Sequence, residues 1–552
     1  MGGADVGSRK REECQAVTHM RSRSLGGLLA AVIVFAACSS TSTSPSPSAV
    51  PASSGPSASP AEVSTAPASS GAAGGDKRIV YATFETIDSA WALETDDAFM
   101  LTKTGVAETL TETDFDGALA PLLATAWKQT GDLTWEFTLR DGVKFQDGTP
   151  LDAAAVVGAL NHLLHVQAPA RSFNPKTIAS VEAVGSNVVR VTSVAPNVLV
   201  PYYVASPNTV ILDPKAYAGP QIDPMGTGTG PFTMVKADLP QSYTLDRNAS
   251  YWGGSVGLAG VEVRLVPKGD TRATLIQTGE AQIASSLPIT SVPTLTADSN
   301  ISVADAPLAR TNTLYLNNQK APLNDVRVRQ AIQAAIDTDS LSKDVLEGSV
   351  VPASGPFAAN APYAPKGAAP VVRDVEKAKS LLTAAGIAPG TLTLGLWTYP
   401  SRPELPDVAV ALQSMLKDAG INVEVRVADY AALEPDVLAG KFDMMIVSRS
   451  YLIDINDPAG YLASDYGCAG GYNLSHFCDK TLDSGLSQAL ANPDPSARNT
   501  FYASFAAKLE ADAVDVFLYN PQEISAIDKH IQNYRIHPLE NFLLTSKLAW
   551  GN

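Results

Sequence analysis

The chain has 552 residues, of which 45% are hydrophobic and 17% charged, with 40 Lys and Arg against 56 Asp and Glu. That length allows roughly three to five domain-sized cores, and the composition is that of an ordinary globular protein. The first 37 residues hold five of the basic and three of the acidic residues, so the rest carries 35 basic and 53 acidic, a net charge of −18. An acidic body argues against nucleic acid as a partner, because phosphate backbones are held by basic surface.

Residues 20–38, MRSRSLGGLLAAVIVFAAC, place two arginines before a short apolar run and small residues before Cys38. This is the build of a secretory signal peptide, with an apolar run short for a membrane span. Met20 is the more natural start, which makes 1–37 a leader. The residues before Cys38 resemble a bacterial lipobox, in which the cysteine is lipidated and becomes the mature N-terminus; an uncleaved anchor is the alternative. Either way the body is expected outside the cytoplasm. From Ser39 to Gly75 the chain is almost wholly Ser, Thr, Pro, Ala and Gly, with Glu62 its only charge. Such a segment cannot bury enough surface to offset its chain entropy, so 38–75 is expected to be a lipidated cysteine and a disordered tether.

The globular part begins with a strand at RIVYATF. Alternation of Trp135, Phe137 and Leu139, with a turn at Arg140-Asp141-Gly142, predicts a hairpin-like pair, and Gly148-Thr149-Pro150 leads into a helix. Strands are expected near Val188 and Val210, then at GVEVRLV, followed by a helix over TRATLIQTGEAQIA. In Thr313–Gly348, Leu314 to Leu316 read as a strand and Pro322 to Asp325 as a turn, with Asn324 or Asp325 able to cap the next helix. Val326, Val328, Ala331, Ile332, Ala335 and Ile336 recur at helical spacing, with Arg327 and Arg329 largely off that face. Beyond it KAKSLLTAAGI, TLTLGLW, the helix-strand unit ending INVEVRV, and FDMMIVSRS alternate helix and strand, which argues an α/β lobe with a mixed sheet. A strand near Val516 to Asn520 should cross back to the first half.

Several patterns that could carry catalysis fail on context. Gly253-Gly254-Ser255-Val256-Gly257 fits the spacing of a nucleophile elbow but has no strand before it and no helix after it. Gly226 to Phe232 is Gly-rich without the Lys-Ser or Lys-Thr of a phosphate loop, so it reads as a turn. His162 and His165 sit three apart on a helix with no ligand set around them and read as ordinary helix residues. No enzymatic activity, metal site or cofactor is expected.

Specific wording goes further than periodicity. PLNDVRVRQAIQAAID, LRDGVKF with DGTPL, GTGPF, RNASYWGG and a helix ending Gly-Glu together resemble the extracytoplasmic solute-binding proteins of ABC importers, in the group of dipeptide, oligopeptide and nickel binders. The resemblance covers Lys77 to the C-terminus. It implies an α/β fold of two large lobes, periplasmic-binding-protein type II-like, with an added small α+β subdomain. The expected division is 76–123, 225–309 and 518–552 for lobe I, 124–224 for the subdomain, and 310–517 for lobe II, with hinge crossings near Arg310 and Tyr519.

DINDPAGYL resembles the loop whose first aspartate, here Asp454, takes a peptide's α-ammonium in this group. Ser401-Arg402-Pro403 stands where dipeptide-type members carry the Arg-Pro that takes the α-carboxylate, after Trp397 and Tyr399. A carboxylate for an ammonium and a guanidinium for a carboxylate are the contacts a zwitterion needs. The bland alternatives are an exposed arginine and a capping aspartate. Tyr451 stands where a Trp is frequent, with Arg449 beside it, and both join the candidate site together with Trp397 and Tyr399. Cys468 and Cys478, with nine residues between them, are a disulfide candidate in an exported chain, and members of the family carry a similar pair. The expected function is capture of short peptides by a lipid-anchored monomer that passes them to a membrane permease. Nickel chelates, opines or oligosaccharides are the alternative ligands, and a sensor without transport is the alternative role.

Overall fold

The structure is a computed structural model that describes residues 75–551. The leader, Cys38 and the tether through residue 74 lie outside the described residues. Two large sheets dominate, and a smaller one is set beside the first. The seven-stranded sheet has the order Ile301–Pro307, Gln522–Asp528, Ile283–Ala284, Arg78–Thr83, Gly260–Leu265, Ser242–Arg247, Phe232–Asp238. Arg78–Thr83 runs parallel to both neighbours and the outer pairs are antiparallel.

The six-stranded sheet has the order Val351–Pro352, Asp515–Asn520, Arg310–Leu316, Met444–Ser450, Leu392–Thr398, Ile421–Val427. Every residue of Arg310–Leu316 is buried, as expected of a strand covered on both faces. Period-two alternation divides its neighbour: Val516 and Leu518 join a core formed with the helices Val326–Ala335, Val375–Ala384 and Leu405–Asp418, while Phe517 joins the larger core on the other side. A four-stranded antiparallel sheet, Ala124–Gly131, Thr134–Leu139, Val188–Ser193, Ile178–Ala183, is covered by the helix Ala153–His165. The architecture is therefore a two-lobed α/β fold with a small α+β unit.

Several local expectations change. The hairpin is Ala124–Gly131 with Thr134–Leu139, turning before Trp135; beyond Gly142 only an isolated bridge from Lys144 to Pro150 forms. The Val210 region is a single 3₁₀ turn, Pro207–Thr209, followed by one bridge at Ile211. The helix expected to run through Ala284 stops at Gln277, and Ile283–Ala284 is a strand. Asp515–Asn520 stays in the second sheet, and the chain returns to the first through Pro521 into Gln522–Asp528, so the lobe boundary moves past residues 517 and 518. The other crossing is at Leu308-Ala309.

The helix Val326–Ala335 is capped by Asp325, whose carboxylate accepts from the Arg327 amide at 2.9 Å. Val326 is exposed, whereas Arg329 is buried. Its guanidinium donates to the carbonyls of Ala513, Leu323 and Asp512 at 2.9 to 3.0 Å, so hydrogen bonding overrides the amphipathic pattern there.

The Gly-rich run is explained by close approach. A Cβ at Gly228 or Gly230 would collide with the backbone of Gly105 and Val106. Ser255 lies in an exposed loop, and the His165 ring bonds only the Asn161 carbonyl, at 2.6 Å. Among the described residues no cluster could hold a metal ion, and no helix is long and apolar enough to cross a membrane.

Candidate ligand-binding site

The strand Met444–Ser450 ends in the loop that carries Asp454. The capping carboxylate of that loop is Asp457, which accepts from the Ala459 amide at 3.0 Å and starts the turn Pro458–Tyr461. Asp454 is thereby free of a capping role, and its side chain is only 5% exposed. One of its oxygens accepts from Arg449 Nη2 at 2.7 Å and the other from Arg171 Nε at 3.3 Å. Burial opposes the Asp454 charge, but Arg449 and Arg171 outweigh it and hold the carboxyl below its ordinary value.

Arg449 is spoken for on its other side. Its Nε and Nη2 donate to both oxygens of Asp465, at 2.8 and 2.9 Å, the planar pairing that guanidinium geometry favours. Burial pushes the Asp465 carboxyl upward, against the pull of Arg449. Arg449 is thus an internal support for Asp454 and not a free ligand contact. Tyr451 is buried and lies in an aromatic cluster with Phe357 and Tyr363, at centroid distances of 5.4 and 6.2 Å.

At the other end Arg402 is 14% exposed, which removes the exposed-surface alternative. Its guanidinium lies over the Phe84 ring at 4.5 Å, and Nη2 is 4.0 Å from Glu540 Oε1. Glu540 already accepts from Arg310 Nη2 at 2.9 Å. Burial disfavours its charge, but Arg310, Arg402 and Lys103 outweigh that and hold its carboxyl down. Phe84 directly follows the strand Arg78–Thr83 of the first sheet, and Glu540 lies in the C-terminal segment beyond Gln522–Asp528, so Arg402 reaches out of the second lobe toward the first.

A line of tyrosines runs from Tyr399, three residues before Arg402, to the acidic end. Tyr399 OH accepts from the Ser448 amide at 3.0 Å, and its ring meets Tyr430 edge-on at 5.1 Å. The hydroxyls of Tyr430 and Tyr472 are hydrogen-bonded, and the Tyr472 ring lies 5.1 Å from Arg171 and 5.0 Å from Arg449. Trp397 does not join them. The strand ends at Thr398, so Tyr399 leaves its alternation, while Trp397 packs on Phe442 and under Arg426 at 4.4 Å. Cys468 and Cys478 form a disulfide, and the loop it closes carries Tyr472. The partners absent from the sequence reading are Arg171, Asp465, Glu540, Phe84, Tyr430 and Tyr472.

The family model for bacterial extracellular solute-binding proteins, family 5 (middle), matches residues 118–473. The chain belongs to that family. Family 5 solute-binding proteins serve ABC importers as transport binding proteins and are not enzymes. The chain is similar to the probable D,D-dipeptide-binding periplasmic protein DdpA of Escherichia coli K12, 29% identical over 446 residues, 77% of this chain and 83% of that one. It is also similar to the glutathione-binding protein GsiB of Pectobacterium atrosepticum, 28% identical over 438 residues, 77% of this chain and 85% of that one. The fold is shared with NikA of Staphylococcus aureus in complex with Ni(L-His)2, at 23% identity and a TM-score of 0.77, covering 86% of this solute-binding protein and all of that chain. DppA of Helicobacter pylori in complex with the peptide STSA gives the same TM-score and identity, over 87% and 99% of the two chains. Its class is therefore the type II periplasmic-binding-protein fold.

Proposed function

We propose that this solute-binding protein captures short peptides between its lobes, with Asp454 taking the α-ammonium and Arg402 the α-carboxylate, and passes them to an ABC permease while anchored through a lipid on Cys38. The observation that carries the reading is the pairing of ends. A buried carboxylate held ionised stands at one end of a tyrosine line, and a guanidinium whose nearest carboxylate is 4.0 Å away stands at the other. Peptide and glutathione relatives support it. The tyrosines supply apolar faces and hydroxyls between the two charged ends, which suits ligands recognised by their termini.

Calorimetry with a set of di- to tetrapeptides tests the ligand. Asp454→Ala or Arg402→Ala is expected to cost about 2 to 5 kcal/mol, taking a micromolar binder to roughly millimolar. Amino-acetylated peptide should mimic the first variant and carboxy-amidated peptide the second. Equal affinity of all these combinations would overturn the clamp. If no peptide binds the wild type, nickel chelates, opines and oligosaccharides move ahead. For the anchor, a fatty-acid analogue should label the wild type in cells, and equal labelling of Cys38→Ala would refute lipidation there.

A further inference from the structure

The acidic end is already occupied by a cation of the chain's own, and the way that cation is held differs from the way its neighbour is held. Arg449 makes three bonds, two of them a paired fork onto Asp465, and its side chain is 7% exposed. Arg171 makes two single bonds, both at 3.3 Å, one to Asp454 and one to Asp96, and its side chain is 31% exposed. Asp96 is 84% exposed, so Arg171 bridges from the buried carboxylate to an open one.

The two ends of that bridge belong to different lobes. The backbone at Arg171 is tied to the first half: Asn174 Nδ2 donates to the Arg171 carbonyl at 2.9 Å, and Ser172 Oγ bonds Asn208 Oδ1 at 3.1 Å. Asn208 in turn donates to the carbonyls of Leu93 and Thr95. Asp454 follows a strand of the second sheet. Charge also decides what a ligand can do here. Arg171 and Arg449 balance Asp454 and Asp465, so adding an ammonium with Arg171 in place would leave an uncompensated buried charge, which is costly.

We propose that Arg171 is an exchangeable surrogate for the ligand's ammonium at the acidic end, one that latches the lobes together until a ligand cation displaces it toward Asp96. This rests on the reading of Asp454 as the ammonium site. A neutral group at that end leaves Arg171 in place on Asp454, whereas a cationic one takes over the position that Arg171 holds through its single 3.3 Å bond.

The experiment compares wild type, Arg171→Met and Asp454→Asn, each as the full soluble body, by two measurements. Interlobe distance distributions between spin labels, recorded without ligand, should broaden toward open states in both variants, because either substitution removes the latch. Calorimetry with a free-amine dipeptide should then show Arg171→Met binding about tenfold more tightly, since less of the protein is held in a competing closed state. Acetylated dipeptide should gain less from that substitution. An unliganded distribution in Arg171→Met identical to wild type overturns the latch whatever the ligand is. If Asp454→Asn abolishes dipeptide binding while Arg171→Met changes neither distances nor affinity, the ammonium site stands and the latch falls. If the dipeptide fails to bind wild type, the peptide reading falls and the unliganded distances alone decide the latch.

Discussion

Removing Arg449 should expose how much of the site is electrostatic scaffolding. Arg449→Leu keeps much of the side-chain volume but deletes the cation between two carboxylates that are 5% and 0% exposed. Three charge-assisted bonds disappear, and Asp454 is left with Arg171 alone at 3.3 Å. Breaking a buried ion network by removing one partner costs about 3 to 5 kcal/mol. A body of this size unfolds with an entropy of about 1 kcal/mol per kelvin, so the midpoint should fall by about 3 to 5 °C. The pH dependence is the sharper signature. In the wild type the Asp454 carboxyl is held down, so its contribution is present above the unfolded value and lost as pH falls through the folded one. Without Arg449 burial dominates at Asp454, whose carboxyl moves above its unfolded value, and Asp465, already raised by burial, rises further. The Asp454 contribution then reverses sign, and the stability that both groups support is lost as pH rises through their folded values. Calorimetric unfolding at pH 7.5 and pH 5 should therefore show a large deficit at the higher pH and a smaller one at the lower. A deficit equal at both, or below about 1 kcal/mol, would refute the scaffold argument. Arg449→Lys should fall between, because an ammonium cannot reproduce the fork onto Asp465.

Reducing the Cys468–Cys478 bridge, which closes a loop with a sequence separation of 10, should lower stability by roughly 2 to 3 kcal/mol in the chain-entropy model. Unchanged denaturant midpoints with and without reductant would sink this. His537 is a neutral imidazole with both nitrogens used: Nε2 donates to the Thr113 carbonyl at 2.9 Å, and Nδ1 accepts from the Leu539 amide at 3.1 Å. Burial pushes its pKa down to about 4, so stability it supports above the unfolded value is lost as pH falls from about 6.5 toward 4, about 3 kcal/mol in all. His537→Gln should flatten that part of the acid profile, and superimposable profiles would show that His537 does not titrate in this window.

Asp454 and Arg402 were legible because short local patterns mark them: an Asp-x-x-Asp-Pro turn after an apolar strand, and an Arg-Pro after another. What surrounds them was not. Arg171 meets Asp454 from 283 residues away, and nothing in its own neighbourhood distinguishes it from a surface arginine. Asp465 sits in a helical turn where periodicity assigns no role, yet its burial depends on Arg449 arriving from a neighbouring strand. Trp397 shows the opposite failure. It was grouped with Tyr399 because both precede the Arg-Pro, with one residue between them. The strand ends between them, and the side chains part. Arg329 failed for a similar reason, since helical periodicity sees hydrophobicity and not the three carbonyls of the neighbouring segments that a guanidinium can reach.

The two ends of the site also handle charge differently, and that difference predicts which end of a peptide matters more. At the acidic end a ligand ammonium would exchange with Arg171, one cation for another at the same carboxylate, so the gain is a difference between two similar interactions. At the basic end Glu540 is bonded to Arg310 at 2.9 Å and stands 4.0 Å from Arg402, beyond hydrogen-bond distance. A ligand carboxylate there gives Arg402 a bonded anion without first breaking a short contact, and a bidentate pair with a guanidinium is the strongest contact available to it. Amidation should therefore weaken a dipeptide more than acetylation does, by about tenfold if the exchange at Asp454 offsets some 1.4 kcal/mol. In Arg171→Met the exchange is removed, so the acetylated dipeptide should lose more affinity relative to the free amine, and the two modifications should approach equal cost. Calorimetry on the four peptide and protein combinations measures this directly. An acetylation penalty in the wild type as large as the amidation penalty, unchanged by Arg171→Met, would show that Arg171 does not compete for Asp454 and that the two ends are energetically alike.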